Sequence, residues 1–210
     1  MAIAGRQAAP GKLQKMEIDL VEVTFHVEGA APYLANRLDA DRVQKGWLDG
    51  KTVAEIVDYC RYKLDPERDG CTDGIPTGAF MQAMINGARH TKAKMTELRG
   101  SFVIAQCDSL VPIQAPEPTV RADVGRNPNA RSAAVVIHRP QYWPWAADIP
   151  IRFDLGRYTT QDIANMLQVA GMAIGVGDAR PEKCALAMGR FDVISVVEER
   201  RIILGGEMTQ

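Results

Sequence analysis

Glycine recurs through residues 171–189, and this segment constrains the fold more than any other part of the sequence. It lies between a predicted helix and the last predicted strand. Glycine adopts positive φ angles without strain and, lacking a Cβ atom, lets the backbone approach a ligand or another chain closely. Basic side chains in and beside the segment favour an anionic partner, of which the phosphate backbone of a nucleic acid is the commonest. The glycines are Gly171, Gly175, Gly177 and Gly189, and the basic residues are Arg180, Lys183 and Arg190.

The length and charge of the chain limit what such a site can be. The 210 residues suffice for one substantial core, or for one core with an inserted lobe. Hydrophobic residues make up 46% and charged residues 24% of the chain, which is ordinary for a globular protein. The formal net charge of −1 gives no basic field over the whole surface, which disfavours a DNA-coating protein. Any nucleic-acid site must therefore be a local patch.

Cysteine and histidine are too sparse to indicate a metal site. The four cysteines include no C-x-x-C pair, and the chain has only three histidines. We therefore expect free thiols in a reducing cytoplasm, with neither a metal nor a cofactor. No apolar run approaches the ~18 residues of a membrane span, and residues 1–14 lack the apolar core of a signal peptide. We expect a cytoplasmic protein with no membrane partner.

The sequence predicts one folded domain with additions. Residues 1–16 have no periodicity and are expected to form a mobile arm. The domain is predicted over 17–199, with an inserted helical lobe at about 36–74 that is rich in acids. A Pro-rich linker with spaced arginines is predicted over 116–131, and residues 200–210 form a tail.

Capping residues and periodicity predict the elements. Thr52 with Glu55 predicts a capping box at the start of a helix over 52–64. Thr159 or Thr160 is a candidate N-cap for the last helix, which Gly171 is expected to close as a C′ residue. The remaining predictions are strands over 17–28, 99–107, 109–113, 133–139, 149–155 and 190–197, and a helix over 75–88.

The order of these elements predicts the fold class. Without the insertion the order is strand, helix, strand, then strand, strand, helix, strand. This order approximates the ferredoxin-like β-α-β-β-α-β plan of an α+β protein, elaborated with extra hairpins. Helices would cover one face of an antiparallel sheet and leave the other face free. RNA-recognition modules use such a face, as do many enzymes and oligomerisation domains.

An aromatic and cationic cluster is the second candidate site. Bases can stack on such rings for about 1–3 kcal/mol each. Tryptophan, tyrosine and arginine also dominate subunit interfaces, and the same rings could simply belong to the core. Nucleic-acid binding, self-association and a core role therefore all stay open for this cluster. Its members are Arg139, Tyr142, Trp143 and Trp145.

Basic residues also follow the predicted helix over 75–88. Lys92 and Lys94 are candidates for contact with phosphates. A solvated helix C-terminus favours such charges in any case, through the helix dipole.

No motif indicates catalysis. The Gly-Val-Gly-Asp run lacks the pattern of a phosphate-binding P-loop, and no serine or cysteine has a recognisable nucleophile setting. Cys184 is only a faint candidate thiolate. Asp73, Asp178 and Glu182 could bind a metal, although scattered loop acids are usually solvated. We expect that the protein is not an enzyme.

The pattern of elements resembles a known superfamily. A ferredoxin-like core whose last helix runs into a glycine-rich loop is similar to the RAMP superfamily, which includes the backbone subunits of CRISPR effector complexes. The residues that carry the resemblance are Gly171, Gly175, Gly177 and Gly189. A large insertion after the first strand adds to it. The resemblance implies RNA and other effector-complex subunits as partners.

Two phrases resemble uncharacterised proteins of tailed bacteriophages and prophages. They are the runs over 139–145 and 175–182. This resemblance implies a protein that acts in the cytoplasm of a bacterial host or enters a particle. The sequence thus predicts a non-catalytic, self-assembling protein, phage-encoded and RAMP-like, that binds single-stranded RNA or DNA. The first alternative is an oligomeric phage structural or assembly protein with no nucleic-acid role. A third possibility is an interaction module that blocks or recruits host machinery.

Overall fold

The computed structural model describes residues 18–39, 41–42, 49–91, 94–104, 110–126 and 134–202. The predicted N-terminal arm, the end of the predicted tail and Lys92 lie outside the described residues.

The described residues form two antiparallel sheets and a set of helices. The strands are β1 (Leu20–Gly29), β2 (Tyr33–Leu34), β3 (Gly74–Pro76), β4 (Phe102–Ile104), β5 (Leu110–Gln114), β6 (Thr119–Arg126), β7 (Ala134–Tyr142), β8 (Ala146–Asp154) and β9 (Phe191–Ile202). The helices are α1 (Val53–Tyr59), α2 (Pro66–Asp69), α3 (Thr77–Gly87), α4 (Met95–Leu98) and α5 (Thr160–Val169).

The larger sheet has the strand order β3-β5-β8-β1-β9, and β4 also pairs with β8. Every strand pair in it is antiparallel. Helix α3 lies in the connection from β1 to β5, and α5 lies in the connection from β8 to β9. The central order β5-β8-β1-β9 is the one that two interleaved β-α-β units produce. The predicted α+β class with an antiparallel sheet is confirmed.

One face of the larger sheet forms the core. Alternate side chains of β1 and β8 have at most 1% of their surface exposed, while the intervening residues point to the other face. Helices α3 and α5 contact each other and contribute to the same core, so both cover this face. The core members are Val21, Val23, Phe25 and Val27 of β1, Ala147, Ile149, Ile151 and Phe153 of β8, Phe80 and Met84 of α3, and Ile163 and Leu167 of α5.

Helix α5 begins as predicted but ends differently. Thr159 and Asp162 form a capping box at its start. Beyond Val169 the chain continues in a π-helical turn, Ala170–Ile174, and the first residue with positive φ is Gly175. The prediction that Gly171 closes the helix is therefore wrong. Gly171 lies inside the π turn, where a Cβ atom would be 2.1 Å from the carbonyl oxygen of Phe191.

The smaller sheet has the order β2-β7-β6. Its strand β6 corrects the predicted linker over 116–131, because residues 119–126 pair with β7 along their whole length. The segment between β7 and β8 passes from one sheet to the other. Its aromatic residues therefore do not form a hairpin tip.

The predicted lobe contains two short helices. Helix α1 ends at Tyr59, earlier than predicted, although the Thr52–Glu55 capping box is present. Helix α1 lies beside β7. At the end of the predicted lobe, Gly74 already belongs to β3 of the larger sheet.

Candidate nucleic-acid interface

The glycine-rich loop, residues 175–189, depends on left-handed backbone conformations. The φ angle is 70° at Gly175, 78° at Gly177 and 65° at Gly189, which confirms the prediction of positive φ for these three residues. A Cβ atom on Gly177 would lie 2.6 Å from the carbonyl oxygen of Leu34. The loop therefore packs against neighbouring backbone and cannot accept larger residues at these positions.

Backbone hydrogen bonds attach the loop to the residues that follow β1. The N–H of Asp178 donates to the carbonyl of Leu34 at 2.9 Å, and that of Gly189 donates to Pro32 at 2.7 Å. Within the loop, Val176 donates to the carbonyl of Gly189 at 2.9 Å. These bonds hold the loop as an ordered rim.

A groove of about 500 Å³ runs between this rim and the residues after β1. Arg42, Arg180 and Lys183 line it, whereas Asp178 is its only acidic lining residue among those the structure describes. The Asp178 carboxylate pairs with the guanidinium of Arg139 at 3.0 Å, which balances its charge. Arg180 pairs with Glu182, and Lys183 has no ion pair among the described residues, so Lys183 is a positive charge that the groove offers to an anionic ligand.

The predicted basic residues of the loop differ in how they are held. The Arg180 guanidinium donates to the carbonyl of Gly177 at 3.1 Å and pairs with Glu182 at 3.1 Å. Lys183 and Arg190 are exposed, and within the described residues neither has an ion pair. Arg180 is thus fixed in place, and the other two are free to contact an incoming anion.

Of the two predicted basic residues after α3, the one that the structure describes is not part of the groove lining. Lys94 pairs with Glu97 at 3.2 Å at the start of α4 and does not line it. The prediction for Lys92 falls outside the described residues.

The structure corrects the predicted aromatic site. Tyr142 and Trp145 are each only 2% exposed, so bases cannot stack on them. The indole N–H of Trp145 donates to the carbonyl of Ala31 at 2.9 Å, and its ring lies 6.0 Å from that of Tyr33. These two residues belong to the core because their large apolar rings gain most by burial. Only Trp143, at 48% exposure, is left for contact with a ligand.

Arg139 is likewise not a surface cation. It is 7% exposed and pairs with Asp178 at 3.0 Å and Asp123 at 3.2 Å. Asn36 donates a further hydrogen bond to Asp178 at 2.7 Å. Arg139 therefore fastens the glycine-rich loop to the smaller sheet, and its predicted contact with phosphate is wrong.

The acids considered as metal ligands are paired with arginines. Asp73, at 2% exposure, accepts from Arg61 at 2.6 and 3.0 Å, and Asp178 and Glu182 pair as given above. Asp73 also lies near the Tyr142 hydroxyl. Burial is the main cause that raises the pKa of Tyr142 above its usual value, and the negative charge of Asp73 is the second cause. Among the described residues no three His, Cys, Asp or Glu side chains are grouped to hold a metal.

The open face of the larger sheet is acidic at one end. The His26 ring nitrogens lie 2.7 Å from Asp148 and 3.8 Å from Glu28, and Asp192 is the cross-strand neighbour of Glu28. Carboxylates so close together repel phosphates. This face, which RNA-recognition modules use, is therefore poorly suited to nucleic acid here.

Sequence reasoning missed the other side of the groove, which Tyr33, Asn36, Arg42 and Tyr62 line. No motif marks these residues. The pairing of strands is what indicates where these residues lie, because β1 and β9 are antiparallel neighbours. The residues after β1 must therefore meet the loop before β9.

Comparisons with known proteins give similarity of fold only. No family model matches the chain, and no curated protein matches it. The chain is similar to a chain in the cryo-EM structure of the Type III-B Cmr-beta bound to cognate target RNA, with 10% identity and a TM-score of 0.47. That match covers 87% of this chain and 61% of the other.

A second similarity is to the crystal structure of Cmr6 from Pyrococcus furiosus, with 11% identity and a TM-score of 0.40. It covers 85% of this chain and 100% of the other. Both similarities concern the path of the backbone, and neither identifies what this chain binds. No helix in the described part of the chain is long and apolar enough to cross a membrane.

Proposed function

We propose that the chain is a non-catalytic protein that binds single-stranded nucleic acid in the groove beside the glycine-rich loop and associates with other copies of itself. The observation that carries the binding proposal is the groove lining, where Lys183 is exposed without an ion pair among the described residues, Arg180 pairs with Glu182, and the one lining acid, Asp178, pairs with Arg139. The scaffold would be RAMP-like, with RNA as the expected strand. A phage origin stays a prediction from the sequence.

The size and rigidity of the groove favour a single strand. A groove of about 500 Å³ accommodates a nucleotide-sized ligand. The ordered backbone of the loop presents its cations without a large cost in conformational entropy. In this arrangement Lys183 neutralises a phosphate in the groove, which Arg180 also lines, and Arg139 with Asp178 positions the loop. Arg190 does not line the groove, and its predicted contact would be with a phosphate outside it.

The experiment is a salt titration of binding to a single-stranded oligonucleotide. Replacing Arg180, Lys183 and Arg190 by Gln should weaken binding and flatten the salt dependence. Each lost phosphate contact removes about 0.7 from the slope of log K against log salt concentration. A matched control replaces Arg99, Arg157 and Arg201, three exposed cations that do not line the groove, by Gln.

Both triple variants lower the net charge equally, so the comparison separates a site from a general charge effect. The control should keep most of the affinity and the full slope. Equal losses in the two variants would contradict the proposal.

The alternative function is an oligomeric structural or assembly protein without a nucleic-acid role. One observation favours it, namely the uncovered apolar row on β6 and β7, which contains Val120, Val124 and Val136. A protein that forms a stable oligomer but does not bind a single-stranded oligonucleotide would support this alternative.

A further inference from the structure

Among the residues that the structure describes, strand β6 is an edge strand of the smaller sheet and carries an apolar row that no described element covers. Val120 is 56% exposed and Val124 is 78% exposed, and Val136 of the neighbouring β7 is 59% exposed. No element that the structure describes covers these side chains. An exposed apolar row on a narrow sheet is a feature of interaction surfaces.

The two long edge strands of the molecule differ. Strand β9 pairs with β1 through two register shifts and ends in the charged run over 198–201, both of which discourage pairing with another chain. Strand β6 pairs with β7 over eight residues without a shift and contains no proline. Its outer edge is therefore a regular template for a further strand.

The sequence of β6 is self-complementary in the antiparallel direction. If two copies pair about a two-fold axis at Ala122, Val120 lies opposite the partner's Val124. Arg121 then lies opposite the partner's Asp123. The residue numbers in each pair differ by an even number, and alternate residues of a strand point to the same face. The two side chains of each pair therefore lie on the same face of the joined sheet. Cross-strand pairs of opposite charge and of β-branched residues stabilise antiparallel sheets.

We propose that β6 is the self-association surface of this protein, joining the three-stranded sheets of two copies into one six-stranded sheet centred on Ala122. The occupant is a second copy because β6 places Val120 opposite the partner's Val124 and Arg121 opposite the partner's Asp123. Within one chain Arg121 and Asp123 already pair at 3.0 Å, so the symmetric contact brings two such ion pairs together. This inference rests on the self-association in the proposed function and locates it.

Charge placement on the outer row tests the register. V120K/V124K sets lysine opposite lysine at both outer pairs and should convert a dimer, of twice the 23.0 kDa chain mass, into a monomer. V120K/V124E sets lysine opposite the partner's glutamate at both pairs and should keep the dimer. V197K, which adds a lysine at an exposed valine of β9, should leave the mass unchanged.

Cysteine cross-linking tests the axis. In A122C the two thiols face each other across the axis, with Cα atoms about 4.5–5.5 Å apart, which fits a disulfide. In V124C the like residue of the partner lies roughly 13 Å along the strand. Mild oxidation should therefore cross-link A122C, and neither V124C nor the wild type should cross-link.

A monomeric wild-type protein, or a dimer unaffected by V120K/V124K, overturns the inference. Loss of dimer in both double variants overturns the register. Binding of a single-stranded oligonucleotide is measured on the same samples. The proposal for the dimer interface and the proposal for the groove can therefore be rejected independently of each other. If β6 is not the interface, the oligonucleotide still binds in the groove. If the groove is not a binding site, the dimer still forms but no strand binds.

Discussion

The aromatic segment over 142–145 and the glycine-rich loop both contact Tyr33, yet they end in opposite environments. Trp145 lies against the Tyr33 ring inside the core, whereas the loop meets the same ring through Gly177 and leaves Lys183 in solvent. Burying one tryptophan removes about 150–250 Å² from water, worth about 4–6 kcal/mol at ~25 cal/mol per Å². Lysine gains nothing comparable. Bulky apolar side chains thus pack in the core where the two sheets meet. The glycine-rich loop places its charged side chains outside this core.

The largest expected effect comes from Trp145→Ala. It removes a buried ring and leaves the Ala31 carbonyl without its donor, so the free energy of unfolding should fall by about 3–5 kcal/mol. Urea denaturation followed by circular dichroism measures this change. A variant that folds with normal stability but does not bind a single-stranded oligonucleotide would show that Trp145 belongs to the nucleic-acid interface. The contrast between the two segments would then be wrong.

A smaller effect is expected from Gly189→Ala in the loop. The residue has a φ angle of 65°, and a Cβ atom would lie 1.8 Å from the carbonyl oxygen of Val176. The left-handed conformation alone costs alanine about 1–2 kcal/mol, and relief of the clash must shift the rim of the groove. Affinity for a single strand should therefore fall together with stability.

The control for this variant is Gly100→Ala, where a Cβ atom meets nothing within 4 Å. It should change neither stability nor strand affinity. If Gly189→Ala keeps full affinity while losing stability, the loop has a folding role only.

The smallest effect is expected from Trp143→Ala. This ring is 48% exposed, so the free energy of unfolding should change by no more than about 0.5 kcal/mol. If a base stacks on it, strand affinity weakens by about 1 kcal/mol, the low end for stacking. Tryptophan emission should then respond to the oligonucleotide in the wild type and not in the variant. A response that persists in the variant would assign it to another tryptophan.

Local patterns predicted part of the fold correctly. The capping box at Thr52 was predicted as such, and Thr159 was one of two predicted caps; both depend on residues three positions apart, so the sequence contains this information. The alternation that predicted β1 is equally local, since one face of that strand is buried along its whole length. The order of the elements then followed, and with it the α+β class. The positive φ angles of Gly175, Gly177 and Gly189 were also predictable from residue type.

Contacts between distant segments decided the rest. Strand β6 was predicted as a linker because its alternation becomes meaningful only beside β7. Several glycines follow α5, and the sequence does not show which of them ends the helical segment. In the structure Gly171 packs against Phe191 inside the helical segment, and Gly175 is the residue with positive φ.

The sequence by itself therefore determined the local elements, their order and the glycine-rich loop. Tertiary structure alone decided which cations share a groove, because Arg42 and Lys183 lie far apart in the chain and meet only when β1 pairs with β9. It also decided that Tyr142 and Trp145 are core, and that Arg139 fastens the loop instead of facing solvent. The physical reason is that burial and ion pairing depend on the partner that folding brings near, which no local pattern specifies.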